Sequence, residues 1–264
     1  MIYNEIAIVK SNKKIADNTF QTVLYSPKIS KDIKPGQFIN ILPSKGWDKV
    51  MRRPMSISST DQESLNIIYK IVGEGTLEMS NWINGNKIDI IGPLGNHWTN
   101  FKKEPIIVGG GVGIAPILFL HEFLLKKKIK HTLIMGARDI GEHFLQHSIK
   151  DDIILTTDNG SVGVKGNALD GLKYKIGKEN DKYKFFVCGP PLMMESILIF
   201  CREHKISCDV ALETIMACGF GICQGCTVEF NQSQSKSHSY REKYGLVCCD
   251  GPIFNSSEIK TCLV

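Results

Sequence analysis

Four cysteines near the end of this chain limit its fold more than any other feature. Cys218, Cys223 and Cys226 lie within nine positions, separated by four and two residues, and Cys248 follows after 21 more. Glycines stand among these cysteines at positions 219, 221 and 225. From about residue 211 onward the chain has too few aliphatic residues to build a large core, so something other than burial must hold this segment together.

The cysteine spacing matches the plant-type ferredoxin arrangement, in which four thiolates hold a 2Fe-2S cluster. The glycines would let backbone N–H groups approach such a cluster, and these hydrogen bonds help to set its potential. The alternatives are a structural zinc site, which usually takes its ligands as two short pairs, and unrelated buried thiols. The residues leave the fourth ligand open, because Cys248 and Cys249 are adjacent and neighbouring side chains of an extended segment face opposite ways.

Composition and charge limit the cellular location and the kinds of partner that we expect. The 264 residues are 42% hydrophobic and 22% charged, which is ordinary for a globular protein of two or three compact units. The sequence contains neither a signal-peptide pattern nor an apolar run of about 20 residues, so we expect a cytoplasmic protein that does not enter a membrane. In that reducing compartment, clustered cysteines indicate metal binding or catalysis rather than disulfides. The net charge of +5 comes from scattered lysines, so we expect no nucleic-acid partner.

The hydrophobic pattern changes twice along the chain, which predicts a multidomain β and α/β fold. An N-terminal antiparallel β-barrel is predicted over residues 1–102 from the short β-branched runs EIAIV, FQTVLY, QFINIL, PMSIS and LNIIYKIV. Alternating buried strands and helical patterns predict a parallel α/β nucleotide-binding domain over residues 103–210. Residues 211–264 would then form a small 2Fe-2S lobe.

Two stretches of the predicted barrel could bind a flavin or a pyrophosphate. In RRPMSIS, residues 52–58, a guanidinium and a hydroxyl close together suit either group, although a basic pair before a strand is more often solvated surface. The turn GEGT, residues 73–76, leads into a helical pattern whose N-terminus would suit phosphate oxygens. Together the two stretches favour a cofactor site over a plain surface.

Two glycine turns in the α/β region predict a dinucleotide site. The first, in VGGGVGIAPI, departs from the G-x-G-x-x-G pattern because Pro116 replaces the third glycine, but proline suits the first turn of a helix. The second, in FVCGPPLMM, follows another buried strand, and both turns would open toward the crevice at the carboxyl ends of the strands. A simple strand-to-helix turn is the alternative interpretation. The candidate contacts are Gly110, Gly111 and Gly113 in the first turn and Cys188, Gly189 and Pro190 in the second.

The choice between NAD and NADP is not decided by the residues. In GARD, residues 136–139, Arg138 suits a 2′-phosphate whereas Asp139 suits a ribose hydroxyl. The two local signals therefore conflict.

Six motifs in order carry a family resemblance that extends over nearly the whole chain: RRPMSI, GPLGN, GGGVGIAPI, CGPPLMM, LETIMACGFGICQGC and VCCDGPIF. This set resembles the electron-transfer subunit of class B (NAD-dependent) dihydroorotate dehydrogenase, within the ferredoxin-reductase superfamily. The first four motifs mark the wider superfamily, and the cysteine loop with its trailing C-x-D-G-P-x-F is more specific.

The resemblance implies an FAD-binding barrel, an NAD-binding domain and a 2Fe-2S lobe. It also implies an FMN-containing dihydroorotate dehydrogenase catalytic subunit as partner, in a heterotetramer with two copies of each chain, and electrons passing from that FMN through the cluster and FAD to NAD. The implied flavin contacts are Arg53, Pro54, Met55, Ser56, Ile68, Tyr69, Lys70, Gly75 and Thr76, and the implied cluster ligands are Cys218, Cys223, Cys226 and Cys248. Cys249 departs from the family, which more usually has a lysine or a similar residue at that position. No general base is expected, because the chain supplies orientation and electrostatics.

Two other hypotheses differ from this one in partner or in class. The chain could be the small subunit of another reductase of the superfamily, such as an NADPH-ferredoxin oxidoreductase or a sulfhydrogenase, and would then copurify with a different partner. It could also be a redox-responsive binding module without turnover, and then NADH would not bleach a flavin band.

Overall fold

The first part of the fold is an antiparallel β-barrel. The computed structural model describes residues 1–44, 51–177, 181–231 and 240–264. Among these residues, six strands close into a barrel in the order β1-β2-β5-β4-β3-β6. Their bounds are β1 (Tyr3–Ala16), β2 (Thr19–Tyr25), β3 (Phe38–Leu42), β4 (Arg53–Thr60), β5 (Ser64–Lys70) and β6 (Lys87–Leu94), with the short helices α1 (Ile29–Asp32) and α2 (Glu74–Ser80) between them. Closure pairs every strand edge, and alternate side chains such as Ile39, Ile41 and Ile67 fill the interior.

The sixth barrel strand is not among the β-branched runs that predict the barrel. β6 carries the segment KIDIIGPL, in which Gly92 and Pro93 resemble a turn. In the structure this dipeptide stays within the strand, because β6 pairs with both β1 and β3 and closes the barrel.

The second part is a seven-stranded sheet in the order β10-β9-β8-β7-β11-β12-β15. The six strands that precede the last are parallel to their neighbours: β7 (Glu104–Gly110), β8 (Thr132–Ala137), β9 (Ile153–Thr157), β10 (Val164–Lys165), β11 (Tyr183–Cys188) and β12 (Ser207–Ala211). The helices α3 (Ile114–Lys126), α4 (Ala168–Ile176) and α5 (Pro191–Glu203) connect them. No helix in the described ranges has the length and apolar character needed to cross a bilayer.

The third part, the cysteine-rich C-terminal segment, is built onto the sheet. It contains α6 (Tyr240–Lys243), a small antiparallel pair of β13 (Thr227–Glu229) with β14 (Tyr244–Leu246), and β15 (Ile253–Asn255), which pairs antiparallel with β12. One buried cluster joins Cys226, Val247 and Phe254 of this segment to Phe38 of the barrel and Phe185 of the sheet. The sequence predicted that burial within this segment alone could not hold it, and the structure adds an edge strand and a shared core. The predicted fold class is confirmed, with β15 as an antiparallel addition to the parallel sheet.

Candidate electron-transfer site

A cavity of about 210 Å³ lies between the barrel and the C-terminal segment. Its lining includes seven of the nine residues implied as flavin contacts, namely Pro54, Met55, Ser56, Ile68, Tyr69, Lys70 and Thr76. The other two, Arg53 and Gly75, touch each other, since a Cβ on Gly75 would lie 2.7 Å from Arg53 Nε. The structure brings the two predicted stretches together because β4 and β5 are antiparallel neighbours and α2 follows β5.

The remaining lining comes from residues that the sequence analysis did not assign to a flavin: Phe38, Val72, Leu212, Glu213, Thr214, Met216 and Pro252. Most of them belong to motifs that were interpreted only as parts of the cysteine region. A usable signal was present, since Leu212 directly follows β12, and ligands of open α/β sheets bind beyond the carboxyl ends of the strands.

Glu213 places a carboxyl group in this otherwise mainly apolar lining. Part of the residue is exposed to solvent, and it has no ion pair or hydrogen bond with another described residue. The surrounding protein nevertheless removes part of the water around its carboxyl group, and this desolvation raises the pKa of the carboxyl. Burial, and to a smaller extent the nearby Glu213, also raises the pKa of the Cys188 thiol at the end of β11. Glu213 therefore lies where the cavity meets the second glycine turn.

The two predicted glycine turns meet at the carboxyl ends of β7 and β11. A Cβ on Gly113 would lie 2.5 Å from Gly189 Cα, and a Cβ on Gly110 would lie 3.2 Å from the Pro190 ring. Gly111, at φ +53°, adopts the left-handed conformation that favours glycine. β7 and β11 are adjacent, with β8 to β10 on one side and β12 on the other, so the chain order reverses between them. Such a switch point is where open α/β sheets bind dinucleotides.

A narrow groove beside the first turn is lined by Gly109–Gly111, by the end of β8, and by the charged residues Lys70 and Glu142. Arg138, which directly follows β8, pairs with Glu142. Glu142 Oε1 accepts hydrogen bonds from Lys70 Nζ at 2.8 Å and from Arg138 Nη2 at 2.5 Å. The Arg138 guanidinium is the main cause that lowers the pKa of Glu142 to about 2. Sequence reasoning named Arg138 and Lys70 but missed the carboxylate that joins them.

Asp139 has a local structural role. Its carboxylate accepts the backbone N–H of Gly141 at 2.8 Å and caps a short 3₁₀ turn, Ile140–Glu142. Both residues of the conflicting GARD signal are therefore already engaged within the protein.

The cysteine loop gathers five thiols. The backbone N–H of Cys223 donates to Cys218 Sγ at 3.4 Å, the Cys248 thiol contacts that of Cys226, and Cys248 Sγ lies 3.7 Å from Cys249 Sγ. Burial of the Cys218 thiol raises its pKa, but N–H groups of the loop donate to its sulfur and bring the pKa down to about 6. Gly219 and Gly221 have φ of +82° and +88°, which gives the loop its tight curl.

The thiol contacts of the loop fit a two-iron cluster. A 2Fe-2S cluster spreads four thiolates over two irons, with two thiolates on each iron. The contact of Cys218 with Cys223 and that of Cys226 with Cys248 supply two such pairs.

Two asparagines of the barrel fix the position of the cysteine loop. The buried Asn40 donates from Nδ2 to the carbonyl of Cys218 at 2.9 Å. Asn96 donates to the carbonyls of Asp250 and Ile253, both at 2.8 Å, and accepts the Ile253 N–H at 3.0 Å. Sequence reasoning gave neither asparagine a role, although Asn96 belongs to the GPLGN motif. These bonds hold both ends of the cysteine region against the barrel.

Comparison with known proteins identifies the family. Residues 213–260 match the iron-sulfur cluster binding domain of dihydroorotate dehydrogenase B. The electron transfer subunit of dihydroorotate dehydrogenase B (NAD(+)) from Fusobacterium nucleatum is 34% identical to this chain, over 97% of this chain and 98% of that protein. The chain belongs to the family of dihydroorotate dehydrogenase B electron transfer subunits. The family member from Caldanaerobacter subterraneus is 32% identical, over 96% and 97% of the two chains.

Solved structures share the fold. An NADH-dependent reduced ferredoxin-NADP oxidoreductase, described in connection with flavin-based electron bifurcation, is 28% identical with a TM-score of 0.82, over 97% of this chain and 90% of that chain. The ferredoxin reductase of carbazole 1,9a-dioxygenase is 16% identical with a TM-score of 0.68, over 78% and 67% of the two chains, and shares the fold. The relatives and the matched iron-sulfur domain confirm the resemblance to dihydroorotate dehydrogenase B electron transfer subunits that the motifs indicate. The matched iron-sulfur domain contains all five cysteines of the loop.

Proposed function

We propose that this chain passes electrons from an FMN-containing dihydroorotate dehydrogenase catalytic subunit, through a 2Fe-2S cluster and FAD, to NAD in pyrimidine biosynthesis. The contiguity of the three candidate sites carries the proposal. Met216 lines the cavity, and Cys218 begins the cysteine loop two residues later, at most about 7 Å along the backbone. On the other side, Lys70 lines both the cavity and the nucleotide groove. A carrier in the cavity would therefore lie between a cluster and a nucleotide.

This order of sites suits the chemistry of the cofactors. A flavin can accept electrons singly and release them as a hydride pair, whereas a nicotinamide takes only the pair. The side chains of β4, β5 and α2 would bind and orient the FAD. Tyr69 is well placed for this, because it is buried and its ring packs against Phe20 with centroids 6.0 Å apart. The glycines at positions 110, 113 and 189 let the two turns pack closely at the ends of β7 and β11, because a Cβ on any of them would meet protein atoms. The two turns proposed to contact the dinucleotide are thereby brought together.

The proposed cluster ligands are Cys218, Cys223, Cys226 and Cys248. Cys248 is preferred over Cys249 because its thiol is buried against Cys226, whereas Cys249 is exposed. The short amide contacts to Cys218 Sγ are the hydrogen bonds expected around cluster sulfurs. Cys249 would then lie next to the cluster without binding iron.

The family and the chemistry support the proposed partner and location. An electron transfer subunit needs a second subunit that supplies electrons, and we propose the FMN-containing dihydroorotate dehydrogenase chain, with two copies of each subunit in the assembly. We place the complex in the cytoplasm, because all nine cysteines are free and a thiolate-bound cluster needs reduced thiols. The similarity to an NADH-dependent reduced ferredoxin-NADP oxidoreductase supports a second candidate, in which the same chain serves a different reductase partner.

The test is to purify the chain anaerobically, with its copurifying partner, and to record absorption and EPR spectra before and after adding NADH. We expect a flavin band that NADH bleaches and the EPR signal of a reduced 2Fe-2S cluster. Copurification with an FMN protein that oxidises dihydroorotate supports the first candidate, and a different reductase partner supports the second. Colourless protein that contains zinc or no metal contradicts both.

The ligand assignment has its own test, the paired substitutions Cys248→Ser and Cys249→Ser. Only the first should abolish the cluster EPR signal, and the second serves as its control because it removes the neighbouring thiol. Loss of the signal in Cys249→Ser with retention in Cys248→Ser would reverse the assignment.

A further inference from the structure

Glu142 and Lys70 form an ion pair in the groove beside the first glycine turn, and Glu142 also pairs with Arg138 next to this groove. These pairs suggest a role for Glu142 that the proposed function does not require. We propose that Glu142 is an internal anion that holds Lys70 and Arg138 until the phosphates of the dinucleotide replace it, so that it weakens NAD binding and favours nucleotide release. The inference rests on the proposed function only in that NAD binds in this groove. Its basis is the position of one carboxylate among two cations at the glycine turn.

The contacts place Glu142 as a shared counter-ion. Its Oε1 lies 2.8 Å from Lys70 Nζ and 3.1 Å from Arg138 Nε, and Oε2 accepts the backbone N–H of Arg138 at 3.2 Å. The Glu142 side chain is 14% exposed, whereas that of Arg138 is 77% exposed. A surface arginine is thus held down onto a largely covered carboxylate.

The two cations come from different parts of the fold. Lys70 ends β5 of the barrel and lines the flavin cavity, and Arg138 follows β8 of the sheet. Glu142 therefore links the two parts across the groove that runs past Gly109–Gly111. Lysine and arginine side chains bind phosphate, and the only acidic side chain lining this groove among the described residues is Glu142.

The charges of these groups determine how a bound dinucleotide would affect the contacts of Glu142. Glu142 is ionised at neutral pH because its pKa is held near 2. Lys70 and Arg138 carry two positive charges, of which one carboxylate balances one. A pyrophosphate brings two negative charges to the same groove, so the phosphates and Glu142 compete for the two cations and repel each other. Asp139 and Asp158 also act on Arg138, but Asp139 is held by the Gly141 N–H.

The opposite role is a positioning one, in which Glu142 orients the cations for the nucleotide. The two roles predict opposite signs. If Glu142 competes, neutralising it strengthens NAD binding, and if it positions, neutralising it weakens NAD binding.

The experiment measures equilibrium binding of NAD+ to the oxidised holoprotein, by calorimetry and by the change in the flavin spectrum. Glu142→Gln should bind NAD+ roughly tenfold more tightly than the wild type. Glu142→Ala should shift affinity in the same direction, and Lys70→Met and Arg138→Met should each bind more weakly. The matched control is Glu122→Gln on α3, which removes an exposed carboxylate paired with Lys126 at 3.9 Å and should leave binding unchanged.

Retention of the flavin and cluster absorption bands confirms that each variant is folded and loaded. Unchanged or weaker NAD+ binding by both Glu142 variants overturns the inference while leaving the proposed function intact. Absence of NAD+ binding by the wild type contradicts the proposed function, and the inference with it.

Discussion

Replacing Asp209 with asparagine should destabilise the protein by about 3 kcal/mol, the lower end of the cost of breaking a buried ion pair. Asp209 Oδ2 lies 2.6 Å from Lys184 Nζ, and the two side chains are 11% and 7% exposed. Asp209 Oδ1 also accepts a hydrogen bond from Asn255 of β15 at 2.9 Å. An asparagine could keep that bond only by turning its NH₂ group toward the lysine ammonium. The loss of stability should lie at the lower end because Lys184 Nζ keeps two other contacts. It still donates to the Thr99 carbonyl at 3.5 Å and lies 4.9 Å from the centre of the Phe186 ring.

The assay is urea unfolding followed by far-UV circular dichroism, compared between wild type and Asp209→Asn. Two controls define the scale. Neutralising the exposed Glu122–Lys126 pair should change the free energy of unfolding by less than about 1 kcal/mol. The double variant Lys184→Met with Asp209→Leu should recover most of the lost stability, because apolar residues can replace a buried pair at little cost. An effect of Asp209→Asn no larger than that of the surface control would refute the claim that the buried Lys184–Asp209 pair stabilises the sheet.

Two further perturbations test the turns and the cavity. Gly113→Ala should lower the free energy of unfolding by about 1–3 kcal/mol and weaken NAD+ binding, because its Cβ would meet backbone atoms of Gly189 at 2.5 Å. Gly73→Ala is the control, because a Cβ at that position would have no atom within 4 Å. Equal urea midpoints for the two variants would contradict the crowding argument. Glu213→Gln should raise the thermal stability of the protein only above the ordinary carboxyl pKa of 4.5. Because the pKa of Glu213 is higher in the folded protein, wild-type stability is fully present below pH 4.5 and falls as the pH rises through the folded-state pKa. An equal gain in thermal stability of Glu213→Gln at pH 4 and pH 8 would contradict the raised pKa of this carboxyl.

The fold class could be predicted because the patterns that specify it are local. Strand runs broken by Pro and Gly predicted the barrel, and alternating strands and helices predicted the sheet. β6 was missed because Gly92-Pro93 looks like a turn when its two pairing strands are unknown. The antiparallel addition of β15 was missed because its partner β12 lies in a different predicted unit, and sequence spacing gives no register between them.

The residues of the candidate site likewise fall into those that local sequence patterns predict and those that they do not. The cysteine spacing and the glycine turns are local patterns, so their residues could be named. Asn96 and Glu142 could not be, because each acts through residues far along the chain: Asn96 binds Ile253, which is 157 positions away, and Glu142 binds Lys70, which is 72 positions away. A single asparagine or glutamate carries no periodicity that would mark such a contact.

The shared core explains how carriers could stay at constant separation in a chain of three parts. Asn40 and Asn96 tie the cysteine loop and its trailing segment to the barrel, while β15 ties the same segment to the sheet. A cluster lobe packed on its own core could move relative to the cavity, but one whose Cys226 and Cys248 lie in the same buried cluster as Phe38 and Phe185 cannot move without opening that cluster. A charged contact across the groove beside the first glycine turn, in which Glu142 joins the barrel to the sheet through side chains alone, can adjust more easily. Under the proposed function, entry and release of a nucleotide would alter this link without changing the spacing between cluster and flavin.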